Sequence, residues 1–287
     1  MKKCAYCGAE YPDDATVCAI DTNELVDHPP KPKPVEEMVI NRARDSERLK
    51  EKAAESALIW PDYQWRAKDA WKCIGVIIIL TGFILPAAVL FLRPHFLTHR
   101  ESGIERILFS VTYYSVYMVA ACYFARTETL SAVARAFGLD RKPTNLVWFG
   151  LAMTLVAWFS THFMLYHHWG KGVYVYDLEA FRKTIGCQRL LFLIPPVILA
   201  PIFEEIVERG FLYRAFRGSF SVAVSVLIML AWVLFAHAQY SFRSWIAAVH
   251  LSAFAVIQCY LREKSASLWD CIICHSIGNA VIFLPHF

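Results

Sequence analysis

From residue 70 onward the chain alternates between long apolar runs and short charged patches. Seven runs approach or exceed the roughly 20 residues that a helix needs to cross a hydrocarbon layer about 30 Å thick. Backbone polar groups find no water inside a bilayer, so these runs are predicted to be helices. The predicted spans are residues 70–92, 104–125, 145–167, 189–213, 220–240, 243–261 and 267–285.

The composition supports this interpretation, because 57% of the residues are hydrophobic. The sequence therefore predicts an all-α, polytopic transmembrane helix bundle of about seven spans, with the lipid bilayer as its partner. Lys and Arg crowd the segment before the first span and the loop at 126–142, and such residues are enriched in cytoplasmic loops. We therefore expect the N-terminus in the cytoplasm. The net charge of +4 reflects this asymmetry, and no nucleic-acid partner is expected.

Residues 1–28 form a different kind of segment. Cys4 and Cys7 are separated by two residues, and Cys18 and Asp21 repeat that spacing after a ten-residue loop. This is the spacing of a small tetrahedral zinc site, with three thiolates and a carboxylate as ligands. We predict a structural Zn²⁺ there; a metal-free knuckle or a disulfide is the alternative, and the cytoplasm disfavours the disulfide. The segment resembles the zinc ribbons of bacterial membrane proteins, which implies a bacterial cytoplasmic membrane.

Residues 29–69 are predicted to connect this module to the membrane. Four prolines between positions 29 and 34 indicate a stiff spacer, and residues 36–57 are rich in charged residues and Ala. The second segment is expected to be an exposed or interfacial helix. Residues 70–287 then form the transmembrane domain.

The candidate chemistry lies in polar residues inside the predicted spans. Glu204 and Glu205 are adjacent in an apolar run, and charged groups are costly at membrane depth. Glu205 and Arg209 are four residues apart, so they share a helix face and can form an ion pair. Glu204 points about 100° away and is left free to act as a base.

Two further clusters follow in the last 60 residues. His237 lies near the end of the next span, and His275 and Asn279 are four apart on the last span. Glu204 and His237 are equally distant from the turn at 218–221, which predicts equal depth in a helical hairpin. We expect one buried site to hold all three clusters. The alternative is that each histidine only forms a structural hydrogen bond between helices. His250 is a weaker candidate, because its run contains no acidic residue.

These residues resemble the three motifs of the CAAX protease and bacteriocin-processing family, also called the Abi family. The resemblance covers residues 189–285. The family usually has Phe four residues before the middle His, where this chain has Val233, and Trp232 and Phe235 are expected to supply the aromatic wall instead. The motifs are Glu204-Glu205-x-x-x-Arg209, His237, and His275-x-x-x-Asn279.

The resemblance implies a glutamate-dependent intramembrane endopeptidase acting on a peptide or membrane-protein substrate. Glu204 and His237 would activate a water, and His275 and Asn279 would form the oxyanion hole. Glu205 and Arg209 would support the site. Separately, the predicted topology suggests that the N-terminal module recruits a partner or the substrate on the cytoplasmic side.

Three alternatives use the same residues. A zinc-dependent intramembrane metalloprotease would bind its metal through Glu204, His237 and His275. We favour the metal-free mechanism, because the sequence has no His-Glu-x-x-His helix. A non-catalytic scaffold or immunity factor, or an ion-coupled transporter, would also account for intramembrane carboxylates.

Overall fold

The computed structural model describes residues 2–4, 9–12, 14–17, 65–92, 103–166, 181–265 and 267–283. The chain divides into two compact units, Met1–Leu58 and Ile59–Phe287. In the first unit, strands β1 (Lys2–Lys3) and β2 (Glu10–Tyr11) pair antiparallel. The charged helix predicted at 36–57 lies outside the described residues.

The described part of the second unit consists mainly of helices, so the prediction of an all-α bundle is confirmed here. Segments of π-helix at Leu80–Ile84, Pro195–Leu199 and Ile206–Leu212 each join two α-helices into one continuous helix. The α-helices are α1 (Ala67–Ile79), α2 (Leu85–Leu92), α3 (Gly103–Ala125), α4 (Leu130–Phe137), α5 (Leu146–Tyr166), α6 (Cys187–Ile194), α7 (Ala200–Glu205), α8 (Tyr213–Arg217), α9 (Val222–Ala236), α10 (Ala238–Ser241), α11 (Trp245–Lys264) and α12 (Trp269–Phe283).

Within the described residues, five helices are long and apolar enough to cross a membrane. They are Ala67–Ala88, Gly103–Ala125, Leu146–Met164, Cys187–Arg217 and Trp245–Lys264. The last part of the chain adds two apolar helices, α9 and α12, of 15 residues each. At about 1.5 Å per residue they are shorter than the hydrocarbon layer is thick. The predicted count of seven spans is therefore not confirmed.

The helix Cys187–Arg217 changes its hydrogen-bond register twice. A proline inside a helix donates no N–H and clashes with the preceding turn, and this segment contains Pro195, Pro196 and Pro201. The backbone widens there into a π-helix, in which the N–H of Ala200 bonds to the carbonyl of Pro195. The single α-helical stretch between the two π-segments is α7, which ends with Glu204 and Glu205.

Close packing of α5 against α11 and α12 depends on Gly150. A Cβ atom at this position would lie 2.6 Å from Cδ1 of Leu261 and 2.7 Å from Sγ of Cys274. Small residues commonly allow such close approach between helices in membranes. This contact positions α12, which carries His275 and Asn279.

The turn after α4 is fixed by side chains from the C-terminal part of the chain. Gly138 has φ of +82° and caps α4 in the left-handed conformation, which glycine adopts without strain. Arg262 donates to the carbonyl of Phe137 at 3.1 Å, and Trp269 donates to that of Leu139 at 2.9 Å. Asp270 accepts from the backbone N–H of Thr144 at 2.7 Å. These bonds fix the start of α5 relative to α11 and α12.

Candidate active site

A cavity of about 600 Å³ lies among α3, α5, α9, α11, α12 and the helix Cys187–Arg217. Polar residues from all three sequence clusters line it. They include Glu204 and Arg209, His237, and His275 with Asn279. The expectation that one cavity would bring these clusters together agrees with this geometry.

The adjacent glutamates have different surroundings. Glu205 is fully buried, and its Oε1 lies 3.2 Å from Nη1 of Arg209, the pairing that their spacing predicted. Glu204 lines the cavity, and its side chain is 16% exposed. Its Oε1 accepts a 2.8 Å hydrogen bond from the hydroxyl of Tyr114 on α3. Glu205 is therefore part of the protein interior, whereas Glu204 is available to a molecule in the cavity.

Arg209 also bonds to a third carboxylate, that of Glu208. The indole N–H of Trp232 donates to the other oxygen of Glu208 at 3.1 Å. Arg209 thus lies between two buried carboxylates, and its own carbonyl accepts from Arg262 at 3.2 Å. The ion pairs offset part of the cost of burying these charges, although Oε2 of Glu205 and Nε and Nη2 of Arg209 have no hydrogen-bond partner among the described residues.

His275 connects the buried cluster to the cavity. Its Nδ1 lies 2.8 Å from Oε1 of Glu205, and its Nε2 lies 3.9 Å from Oε2 of Glu204. With Glu205 ionised, Nδ1 must carry the proton, because a carboxylate only accepts. The ring of Phe254 contacts the imidazole edge-on at 4.9 Å. These contacts hold His275 beside Glu204 at a distance too long for a direct hydrogen bond.

His237 occupies the break between α9 and α10. Its φ and ψ of −107° and 32° end the α9 helix. Its Nδ1 lies 3.0 Å from the carbonyl of Val233, which can only accept, so Nδ1 carries a hydrogen. In a neutral imidazole Nε2 is then the nitrogen that takes up a proton, as a general base requires.

The side chain of Asn279 makes a hydrogen bond that the backbone of a proline cannot make. In the π-helical register the carbonyl of Pro196 would accept from residue 201, but Pro201 has no N–H. The side chain of Asn279 supplies this hydrogen bond instead, with Nδ2 at 2.7 Å from the Pro196 oxygen. Because a carboxamide nitrogen carries two hydrogens, one remains for a group in the cavity.

The aromatic wall differs from the expectation. Val233 lines the cavity, but Trp232 and Phe235 are not among its lining residues. Trp232 faces Glu208, and Phe235 is largely exposed, because consecutive residues of a helix point in different directions. The lining aromatic side chains come mainly from other helices: Phe109, Tyr113, Tyr114 and Tyr117 of α3, Trp158 of α5, Phe192 of α6, Phe254 of α11 and Phe283 of α12.

Two of the further lining residues are Tyr114, which was not predicted, and His250, which was a weaker candidate. Tyr114 had no sequence signal, because a tyrosine within a span reads as ordinary packing. His250, the weaker histidine candidate, also lines the cavity, where its Nδ1 lies 2.9 Å from the hydroxyl of Thr161.

Of the four predicted zinc ligands near the N-terminus, only Cys4 lies in the part of the chain that the structure describes. Cys4 is buried, and its backbone N–H bonds to the carbonyl of Ala9 at 2.9 Å. Cys7, Cys18 and Asp21 lie outside the described residues. Among the described residues no three His, Cys, Asp or Glu side chains form a group that could hold a metal ion.

Residues 186–281 match the family model described as type II CAAX prenyl endopeptidase Rce1-like. The match covers about a third of the chain and includes all six residues of the three motifs. This part of the chain is therefore similar to CAAX-type prenyl endopeptidases. Comparisons with curated proteins and with solved structures gave no match.

Proposed function

We propose that this protein is an intramembrane endopeptidase in which Glu204 and His237 activate water. The observation that carries the proposal is the position of four side chains from three separate parts of the helix bundle, Glu204, His237, and His275 with Asn279, around one cavity. The arrangement offers a carboxylate, two imidazoles and a carboxamide to a single bound peptide bond. The match to CAAX-type endopeptidases gives the same reaction class.

Glu204 is the proposed general base. Tyr114 binds Oε1, which leaves Oε2 for the proton of a water. The water oxygen forms a bond to the scissile carbonyl carbon as Glu204 takes its proton, and His237 Nε2 orients the water through a second hydrogen bond. Collapse of the tetrahedral intermediate breaks the carbon–nitrogen bond, and Glu204 returns the proton to the leaving amine.

His275 and Asn279 are the proposed oxyanion donors. The second hydrogen on Nδ2 of Asn279 is suited to this role. His275 donates from Nε2 only as an imidazolium, because its Nδ1 proton faces Glu205. Carboxylates of Glu205 and Glu204 within 4 Å stabilise this cation by Coulomb attraction. One donor to an oxyanion typically contributes about 3 kcal/mol in a dry site.

Glu205, Glu208 and Arg209 are proposed to hold the site rather than to react. Their opposite charges pair within the cluster through Nη1 of Arg209. Through its 2.8 Å contact, Glu205 also fixes the orientation and tautomer of His275.

The proposed substrate is a peptide or membrane-protein segment, with a prenylated C-terminal tail as one form and an unprenylated segment as another. We place the protein in the bacterial cytoplasmic membrane with its N-terminus in the cytoplasm.

The N-terminal module, with a structural Zn²⁺ on Cys4, Cys7, Cys18 and Asp21, would recruit the substrate. Deleting residues 1–28 should then raise the KM for a natural substrate and leave kcat unchanged.

A cleavage assay tests the function. Purified protein in liposomes is incubated with membrane-embedded peptides that carry prenylated or free C-terminal tails, and products are identified by mass spectrometry. The proposal predicts internal cleavage at a defined bond that is lost in His237→Ala. Absence of cleavage from every peptide, with a folded protein, would favour a scaffold; ion-coupled flux into the liposomes would favour a transporter.

Zinc analysis separates the metal-free mechanism from a metalloprotease. The triple variant Cys4→Ser, Cys7→Ser, Cys18→Ser removes three ligands of the proposed ribbon. It should contain almost no zinc and still cleave peptide. Stoichiometric zinc in that variant, lost on adding His237→Ala, would show that the metal belongs to the active site.

A further inference from the structure

Helix α5 presents two polar atoms that have no hydrogen-bond partner among the described residues. They are Oγ1 of Thr154 and Nε1 of Trp158. Both residues line the cavity, and Thr154 is only 3% exposed. α5 lies outside residues 186–281, so the family match assigns neither of them a role.

Both atoms have reason to be paired. A buried donor without an acceptor costs about 1–3 kcal/mol, and an indole N–H can only donate. A hydroxyl on a helix often bonds to the carbonyl four residues earlier, as Thr161 does with Ala157 at 2.8 Å. The hydroxyl of Thr154 does not use that option and has no partner among the described residues.

The spacing of the two donors matches an extended peptide. Thr154 and Trp158 are four residues apart on one helix face, which is about 6 Å along the axis. In an extended chain, residues two apart point the same way and lie about 6.6 Å apart. Two carbonyls of such a chain can therefore accept from both side chains together.

Thr154 also lies next to the proposed oxyanion donors. A Cβ atom on Gly278 would lie 3.0 Å from Cγ2 of Thr154, and Gly278 directly precedes Asn279. A main chain bound by Thr154 would thus pass close to Asn279. Trp158 packs against the hydrophobic cluster of Phe181, Phe192, Ile282 and Phe283.

We infer that Thr154 and Trp158 form a binding site for the main chain of an extended peptide, whose alternate carbonyls accept from Thr154 Oγ1 and Trp158 Nε1. The inference rests on the proposed function and adds a substrate-binding surface to it. These residues bind the peptide equally before and during the reaction, so their loss should raise KM more than it lowers kcat.

The test measures binding and cleavage of one peptide that the wild type cleaves. Trp158→Phe removes the N–H and retains an aromatic ring, and Thr154→Val removes the hydroxyl at equal size. In a Glu204→Gln background each change should raise the Kd about 3- to 10-fold, the range of one net hydrogen bond. Thr154→Ser should retain wild-type affinity. Trp148→Phe, at an exposed position of α5, is the matched control and should have no effect.

Thioamide peptides identify the acceptors, because sulfur is the weaker acceptor. A thioamide at the carbonyl that accepts from Thr154 should weaken binding of the peptide to the Glu204→Gln protein. It should not weaken binding further when Thr154→Val is also present. Unchanged Kd and KM in both Trp158→Phe and Thr154→Val would overturn the inference while leaving the proposed function intact. If the wild type cleaves no peptide and the Glu204→Gln protein binds none, the inference and the proposed function are both wrong.

Discussion

The hydroxyl of Tyr114 donates a 2.8 Å hydrogen bond to Oε1 of Glu204, although the two residues lie on different helices. The Tyr114 ring stacks on Phe203, the neighbour of Glu204, with 5.7 Å between centroids and an interplanar angle of 4°. The ring contact fixes the phenol, and the hydrogen bond fixes the carboxylate. Oε2, the oxygen that accepts the proton of water in the proposed mechanism, is then held 3.9 Å from Nε2 of His275.

Tyr114→Phe tests this arrangement by removing one hydroxyl. Without the hydrogen bond the carboxylate samples more orientations, so we expect kcat to fall about 10-fold or more and KM to change less than about twofold. Steady-state kinetics on a cleaved peptide measure both. Tyr123→Phe removes an exposed hydroxyl on the same helix and should have no effect. A rise in KM alone would instead indicate that Tyr114 contacts substrate.

Glu205→Gln should lower stability as well as activity. The substitution removes a charge from a buried cluster and leaves Arg209 and His275 with one carboxylate fewer, and breaking a buried ion pair costs about 3–5 kcal/mol. Glu204→Gln lies at the cavity and should melt close to the wild type. Thermal unfolding in detergent compares the two. Equal melting temperatures for both variants would show that Glu205 has no structural role.

Asn279→Ala is expected to remove two functions at once. The carbonyl of Pro196 loses its donor, which costs about 1–3 kcal/mol, and the oxyanion loses a hydrogen bond. Adding Pro201→Ala restores a backbone N–H near that carbonyl. The double variant should therefore regain part of the melting temperature while kcat stays low. Recovery of kcat together with stability would mean that Asn279 is only a structural residue.

Gly150→Ala should destabilise the helix packing that positions the site. Its Cβ would come within 2.7 Å of both Leu261 and Cys274, and overpacking typically costs about 1–3 kcal/mol. Gly82→Ala is the control, because a Cβ at that position meets no heavy atom within 4 Å. Melting temperatures in detergent should fall for the first variant alone. A similar change in both would contradict the described packing of α5.

The parts of the site that depend on short-range spacing could be predicted from the sequence. Glu205 and Arg209 pair because four residues bring side chains to one helix face. Glu204 and His237 reach one cavity because the turn at 218–221 lies midway between them. Intramembrane polar residues stand out against apolar runs, and this contrast identified the three clusters.

The remaining features depend on helix packing and on backbone register. Tyr114, Thr154 and Trp158 reach the cavity only through the arrangement of α3 and α5, which no local pattern encodes. The bond from Asn279 to Pro196 depends on a π-helical register that hydropathy does not detect. Hydropathy also predicted one span for the segment that contains α9 and α10, although the helix breaks at His237.

The most direct measurement of the central claim compares wild type with Glu204→Gln in cleavage of one membrane-embedded peptide. Gln keeps the size of the side chain and can still bond to Tyr114, but it cannot accept the proton of the attacking water. We predict a fall in kcat of about 10²- to 10⁴-fold, the usual contribution of a general base. Glu128→Gln, in an exposed turn, should match the wild type. Equal activity in wild type and Glu204→Gln would contradict the account.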